Sequence, residues 1–218
     1  AGSGAPFFLI AATGMRFAPA AQIGALLPGT MPLWAALIAL VLFRERFTPW
    51  RVAGYGLIAA GVLAITGADA AAGEGTWRGH LLFLTGAAFW AAYTHAFRRS
   101  GLSALQAAGV VSAWSFLMHA ALALALGTEL PAAPAGEVVL QLVTQGGLSG
   151  LVAIVAYGLA VRRLGAAPAA AFSALAPVLA ALGGLVFLGE APGPRDLVAV
   201  VCVTAGVALA TGLVLRRG

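Results

Sequence analysis

Apolar runs broken by short polar interruptions make up almost the whole chain. Read between the charges, eight runs stand out, at about 2–15, 22–43, 51–67, 79–97, 104–126, 138–161, 167–188 and 196–215. Most are near the ~20 residues that cross ~30 Å of hydrocarbon at a rise of ~1.5 Å per residue. The pattern therefore predicts an all-α membrane protein with eight transmembrane helices. The first run is short, as expected of a helix cut at its edge.

One part of this pattern occurs twice. Residues 32–67 shifted by 145 fall on 177–212, and 13 of the 36 aligned positions are identical. The matches include Pro32 with Pro177, Glu45 with Glu190, Pro49 with Pro194, and Gly61-Val62 with Gly206-Val207. Each copy reads as a proline, an apolar run ending in Glu, a Pro-containing turn, and a second apolar run closing on Thr-Gly. Such repeats define architecture before any motif does. Five runs separate equivalent helices, an odd number, so the two copies are expected to cross the membrane in opposite senses. Inverted repeats of this kind are a hallmark of secondary transporters.

Charge assigns the sides. Arg44, Arg46, Arg51, Arg98, Arg99, Arg162, Arg163, Arg216 and Arg217 fall in one set of loops, and only Arg16, Arg78 and Arg195 in the alternate set. The alternate set also holds Asp69, Glu74, Glu129, Glu137, Glu190 and Asp196. By the positive-inside rule the Arg-rich loops and the C-terminus are cytoplasmic.

Composition narrows the class further. Hydrophobic residues are 61% and charged residues 9%, against about 25% charged in a soluble domain, so lipid must serve as solvent. All twelve basic residues are Arg, a bias read as bacterial and GC-rich. A few loop arginines account for the net charge of +5, and nucleic acid is not expected as a partner. The lone Cys202 excludes an internal disulfide and a multi-cysteine metal site. No charged leader or A-x-A cleavage site opens the chain, and no phosphate-binding glycine motif is present. No cofactor, metal or catalytic set is expected.

The two P-x(12)-E turns, the following Gly-Val, and the segment Leu84–Arg98, LTGAAFWAAYTHAFR, together resemble the drug/metabolite transporter superfamily, specifically its ten-helix EamA-type members. The resemblance covers the whole chain. It implies a 5+5 inverted-repeat helical bundle, with residues 1–67 as the last three helices of the first repeat, 68–78 as the connecting loop, and 79–215 as the second repeat. Subtracting 145 from Gly79 starts the first copy about 66 residues before Ala1, so two helices are expected to precede this chain. The departures are those two helices and two extra residues between Phe17 and Pro32. The resemblance further implies alternating-access movement of a metabolite, amino acid or drug across the bacterial cytoplasmic membrane, often as an exporter, without naming the substrate.

Candidate pathway residues follow from what lipid tolerates. Pro28 and Pro32 interrupt one run, and Pro168 and Pro177 its repeat partner; a proline frees a carbonyl four residues back. Paired interruptions point to a midplane site, with a packing kink as the plainer alternative. Gln22, Trp34, Trp90, Tyr93, Trp114, His119, Gln145, Tyr157 and Ser173 are the other polar or aromatic candidates within runs. Trp34, Trp90 and Trp114 divide evenly between core packing and substrate contact. Trp50 and Trp77 flank loops and read as interfacial anchors. Ser115 follows Trp114 by one residue, ~100° around the helix, so the two are not expected to face one cavity squarely. Glu45 and Glu190 end their runs, where structural bonding of the turn outweighs gating. Gly146-x-x-x-Gly150 is a close-packing spacing.

No Asp or Glu lies at mid-membrane depth in the visible runs. Protons remain a coupling-ion candidate through His119, His95 or the helix-end glutamates, with uncoupled or exchange transport equally open. For His119 a hydrogen bond to another helix is the plainer role. Expected partners are a small-molecule substrate, the bilayer and a second copy of the chain as a homodimer. The alternatives are a structural membrane protein without transport and, less favoured, a membrane-embedded enzyme. Ser112 and His119 stand two turns apart, ~10.5 Å, too far for a nucleophile and its base.

Overall fold

The structure, a computed structural model, describes residues 4–18, 20–66, 76–128, 130–176, 178–179, 186 and 194–211. Among these residues the chain is all-helical, with no strand. The helices are α1 (Ala5–Gly14), α2 (Ala20–Phe43), α3 (Pro49–Thr66), α4 (Thr76–Arg99), α5 (Ala104–Leu126), α6 (Ala135–Gln141), α7 (Ile154–Leu164), α8 (Ala166–Ser173) and α9 (Pro194–Thr211). A π-helical stretch, Leu142–Ala153, joins α6 to α7. Leu26–Phe43, Ala104–Leu126 and Ala135–Leu164 are long and apolar enough to cross a membrane; Ala5–Gly14 and Leu197–Thr211 are shorter apolar helices.

Local chemistry sets several boundaries. Proline opens α3 and α9, where its missing N–H costs nothing because the first turn has no helical acceptor for it. Ser103 and Gln106 cap α5 reciprocally: Ser103 Oγ accepts from the Gln106 N–H at 3.2 Å, and Gln106 Oε1 accepts from the Ser103 N–H at 2.8 Å. At the end of α2, Arg44 adopts a φ of 51° and the Glu45 N–H turns back to the Ala39 carbonyl at 3.0 Å. Glu45 itself is exposed; its repeat equivalent, Glu190, lies outside the described residues.

The tightest packing joins α3 to α9, which run antiparallel. A Cβ added at Gly54 would stand 2.6 Å from the Ala210 nitrogen and 2.7 Å from the Gly206 carbonyl oxygen. A Cβ at Gly206 would stand 2.7 Å from the Gly54 carbonyl oxygen and 2.8 Å from Ile58 Cγ1, and one at Gly61 2.6 Å from Val203 Cγ2 and 3.1 Å from the Ala199 carbonyl oxygen. Small residues thus let the two backbones touch. Adding 145 to Gly54, Ile58 and Gly61 gives Ala199, Val203 and Gly206. The pair Gly54/Gly206 becomes Ala199/Gly61, and Ile58/Gly206 becomes Val203/Gly61. These two contacts have their counterparts in the repeat register.

Helix α4 is central and meets α1, α2, α7 and α8. It runs parallel to α2: Gly86 faces Leu27, and His95 faces Ala35 eight residues further along α2. Its ends differ in charge. At the first, Gly79 packs on Ala18 and Gly14, near Arg16 and Arg78. At the second, the Arg99 guanidinium lies 3.2 Å from the centre of the Phe43 ring and that of Arg162 5.4 Å from Phe97, while Arg98 packs over Gly165. The Arg51 Nε–H donates to the Ala210 carbonyl at 3.3 Å, in the last turn of α9. The inner faces are lined mainly by alanine with Phe83, Ile58 and Val203 fully buried, whereas large apolar side chains such as Leu42, Phe116 and Leu124 point outward.

Among the described residues, the expected close packing at Gly146 and Gly150 is absent. Nothing lies near a Cβ placed at Gly146, and at Gly150 the near atom is the Gln145 carbonyl of its own helix. These glycines fall in the π-helical stretch, which has no buried residue.

Candidate functional site

Helix α2 runs unbroken through Pro28 and Pro32, against the expected interruption, and this proline-bearing part meets α8. Pro32 has no N–H, so the Pro28 carbonyl loses its helical donor. Ser173 supplies one: its Oγ donates to the Pro28 carbonyl at 3.1 Å, sharing the proton with the Ala170 carbonyl at 2.6 Å. Thr30 Oγ1 donates back to the Leu26 carbonyl at 2.6 Å, a bond of the sort that bends helices. Pro32 and Thr30 are buried and Pro28 half-buried. Pro177 and the side chain of Gln22 lie outside the described residues.

Beside this junction stands an aromatic cluster built by α1, α4 and α7. The Trp90 ring centre is 5.1 Å from Phe7, 6.0 Å from Tyr93 and 5.6 Å from Tyr157, the tyrosines meeting it edge-on. Tyr93 stacks on Phe97 one turn further along. Thr94 Oγ1 donates to the Trp90 carbonyl at 2.9 Å, which leaves it as acceptor for the Tyr157 hydroxyl at 3.0 Å. That bond ties α7 to α4. The Trp90 indole N–H is buried beside the Tyr157 ring.

A cleft of about 810 Å³ runs between α2 and α4, with Trp34 and Ile38 on one wall and Thr85, Phe89 and Tyr93 on the other. Its ten lining residues include no ionisable group other than the Tyr93 phenol. The cleft is open and mainly apolar, with Leu81 and Phe89 exposed along it and Thr85 and Tyr93 as its polar groups.

The fold thus brings together Trp34, Trp90, Tyr93 and Tyr157, and sets Pro28, Pro32 and Ser173 against them through α2 and α8. It leaves Trp114, His119 and Gln145 on exposed faces. Trp114 and Ser115 line one smaller cleft of about 300 Å³, against the expectation from their spacing. The Ala5 N–H donates to Ser115 Oγ at 3.1 Å, which draws the serine toward α1 while the indole closes the rim. His119 Nδ1 pairs with the Ser115 carbonyl of its own helix at 2.8 Å rather than with a neighbouring helix. Phe7 and Thr94 were not expected at the cluster. Thr94 lies one helical turn after Trp90, a spacing that shared its face but could not name Tyr157 as partner.

Comparison with known proteins gives the class of the chain. The EamA-like transporter family matches residues 77–212, and the chain belongs to that family, whose members are transporters. No curated protein matches the chain. A solved structure described only as "Crystal structure of protein" is 27% identical, with a TM-score of 0.79 over 97% of this chain and 76% of that one.

Proposed function

We propose that the chain is a secondary transporter that exports a small metabolite, amino acid or drug-like compound across the bacterial inner membrane. It works by alternating access between two inverted repeats, residues 1–67 and 79–215, joined by 68–78, in a 5+5 helical arrangement with the C-terminus in the cytoplasm. The observation that carries this reading is the reciprocity of contacts under the 145-residue shift. Gly54/Gly206 maps onto Ala199/Gly61, and Ser173 meets the residue equivalent to itself, Pro28. Such pairing is what a two-fold axis generates, as in an isologous interface. The antiparallel run of α3 and α9 supports an axis in the membrane plane. The chamber beside it, walled by Trp34, Tyr93 and the neighbouring Trp90 and Tyr157, is the passage.

Sidedness supports the same reading. The arginines assigned to the cytoplasm, from Arg99 on Phe43 to Arg162 on Phe97, gather at one end of α4, away from Arg78. The test is export from cells making the protein, against a panel of amino acids, aromatic metabolites and amphiphilic drugs, with Trp34→Ala as the chamber variant at equal membrane level. The expected result is export of at least one compound, reduced about ten-fold or more by the variant. Unchanged efflux for the whole panel contradicts the proposal.

A further inference from the structure

His95 is the one basic or acidic side chain that is buried among the described residues, 3% exposed on α4. Its Nε2 lies 2.8 Å from the carbonyl of Ala35 on α2, three residues past Pro32. A carbonyl can only accept, so Nε2 carries the proton and Nδ1 of the neutral ring is bare. The junction around it is apolar: Ala35 from α2, Ala91 from α4 and Ala170 from α8 are each fully buried and pack together one turn away. On its other side the His95 ring is 5.2 Å from Phe43, whose face already carries the Arg99 guanidinium at 3.2 Å. The charged groups acting on the ring are Glu45 from the turn after α2, and Arg99 and Arg98 from α4. Helix α8 contributes no ionisable side chain.

We infer that His95 is a proton-binding site whose protonation loosens α2 from α4. A proton taken up at Nδ1 leaves the Ala35 bond in place but sets a full charge among alanine methyl groups, beside a ring already paired with a cation. Beyond what the Glu45 carboxylate offsets, water relieves that charge when the Phe43 end of α2 moves off α4, which widens the cleft at Ile38. An ionisable group inside a membrane bundle marks an ion pathway more often than a packing choice. The inference rests on the transporter reading for its use, since it makes protons the coupling ion. Proton binding and helix movement are nonetheless measurable without any substrate.

The experiment uses the whole chain in lipid nanodiscs, with ¹⁵N-labelled histidine, at about pH 5.5 and about pH 8. The His95 signals are identified by their loss in His95→Gln, whose amide can still donate to the Ala35 carbonyl but does not titrate in this range. In a Cys202→Ala background, Ile38→Cys is also modified by a membrane-impermeant methanethiosulfonate. The rate is divided by that of the same protein carrying His95→Gln, which cancels the thiol's own pH dependence. The expected result is an Nε2–H tautomer at the higher pH, an imidazolium at the lower, and a rate ratio that rises about five-fold or more on acidification. A ring that stays neutral at the lower pH overturns the inference, as does a ratio that does not change. If both signatures are found and export is absent, the transporter reading fails and the proton site stands. Export with an unresponsive His95 leaves the transporter reading intact and removes this site.

Discussion

Ser173 Oγ lies 3.1 Å from the carbonyl of Pro28, and the two residues are separated by the 145-residue offset of the internal repeat. The carbonyl is available because Pro32, four residues on, has no N–H. In the repeat register the counterpart of Pro28 is Ser173 itself, and that of Pro32 is Pro177, which lies outside the described residues. Within the continuous helix α2, a side-chain hydroxyl from α8 thus replaces the donor that proline removed.

This relationship predicts coupling between Pro32 and Ser173. Ser173→Ala should lower stability by about 0.6–1.5 kcal/mol, the range for one such bond. In a Pro32→Ala background the loss should be smaller, because the backbone N–H that this substitution restores can take the Pro28 carbonyl. Steric-trapping or denaturant unfolding in bicelles measures the cycle; strictly additive effects would count against the assignment. Pro32→Ala should also slow transport by about ten-fold while membrane insertion is unchanged.

The α3–α9 seam predicts opposite outcomes for two glycines. Gly206→Ala would press a methyl group on the Gly54 carbonyl and the Ile58 backbone nitrogen, so a loss of about 1–3 kcal/mol is expected. Gly56 faces open space on the same pair. Gly56→Ala should be neutral or stabilising by up to about 1 kcal/mol, since alanine is the better helix former. Thermal unfolding of both variants in one lipid checks the sign; equal losses would mean that the seam is not close-packed.

Tyr157 and Thr94 predict how α7 is held. Tyr157→Phe removes the hydroxyl donated to Thr94 and keeps the ring packed on Trp90. Stability should fall by about 0.5–1.5 kcal/mol, and hydrogen exchange in α7 should quicken relative to α3. Thr94→Val should cost a similar amount and leave little further loss for Tyr157→Phe, which a double-mutant cycle measures.

Much of the helical order could be read before any coordinates. Pro49 and Pro194 begin helices that end at Thr66 and Thr211, the same shift apart, because proline at a first turn and a run of lipid-compatible residues are local signals. What failed was partnership. Gly146-x-x-x-Gly150 has the spacing of a helix contact, yet among the described residues no neighbouring helix packs closely on either glycine, while Gly54 and Gly61, seven apart, face α9. Spacing gives the face of a helix; which neighbour covers it depends on the whole bundle. The Thr94–Tyr157 bond, 63 residues apart, was hidden for the same reason. Nor did hydropathy foresee the π-helical stretch, where three glycines weaken the helical ladder.

The account depends on the two copies lying in the membrane upside down with respect to each other. Insert a small epitope tag in the turn at Arg46 and, separately, in the turn at Arg195 of the full-length protein, and read the compartment of each by labelling intact and permeabilised cells. The prediction is the Arg46 tag in the cytoplasm and the Arg195 tag outside. Both tags on the same side of the bilayer would contradict it.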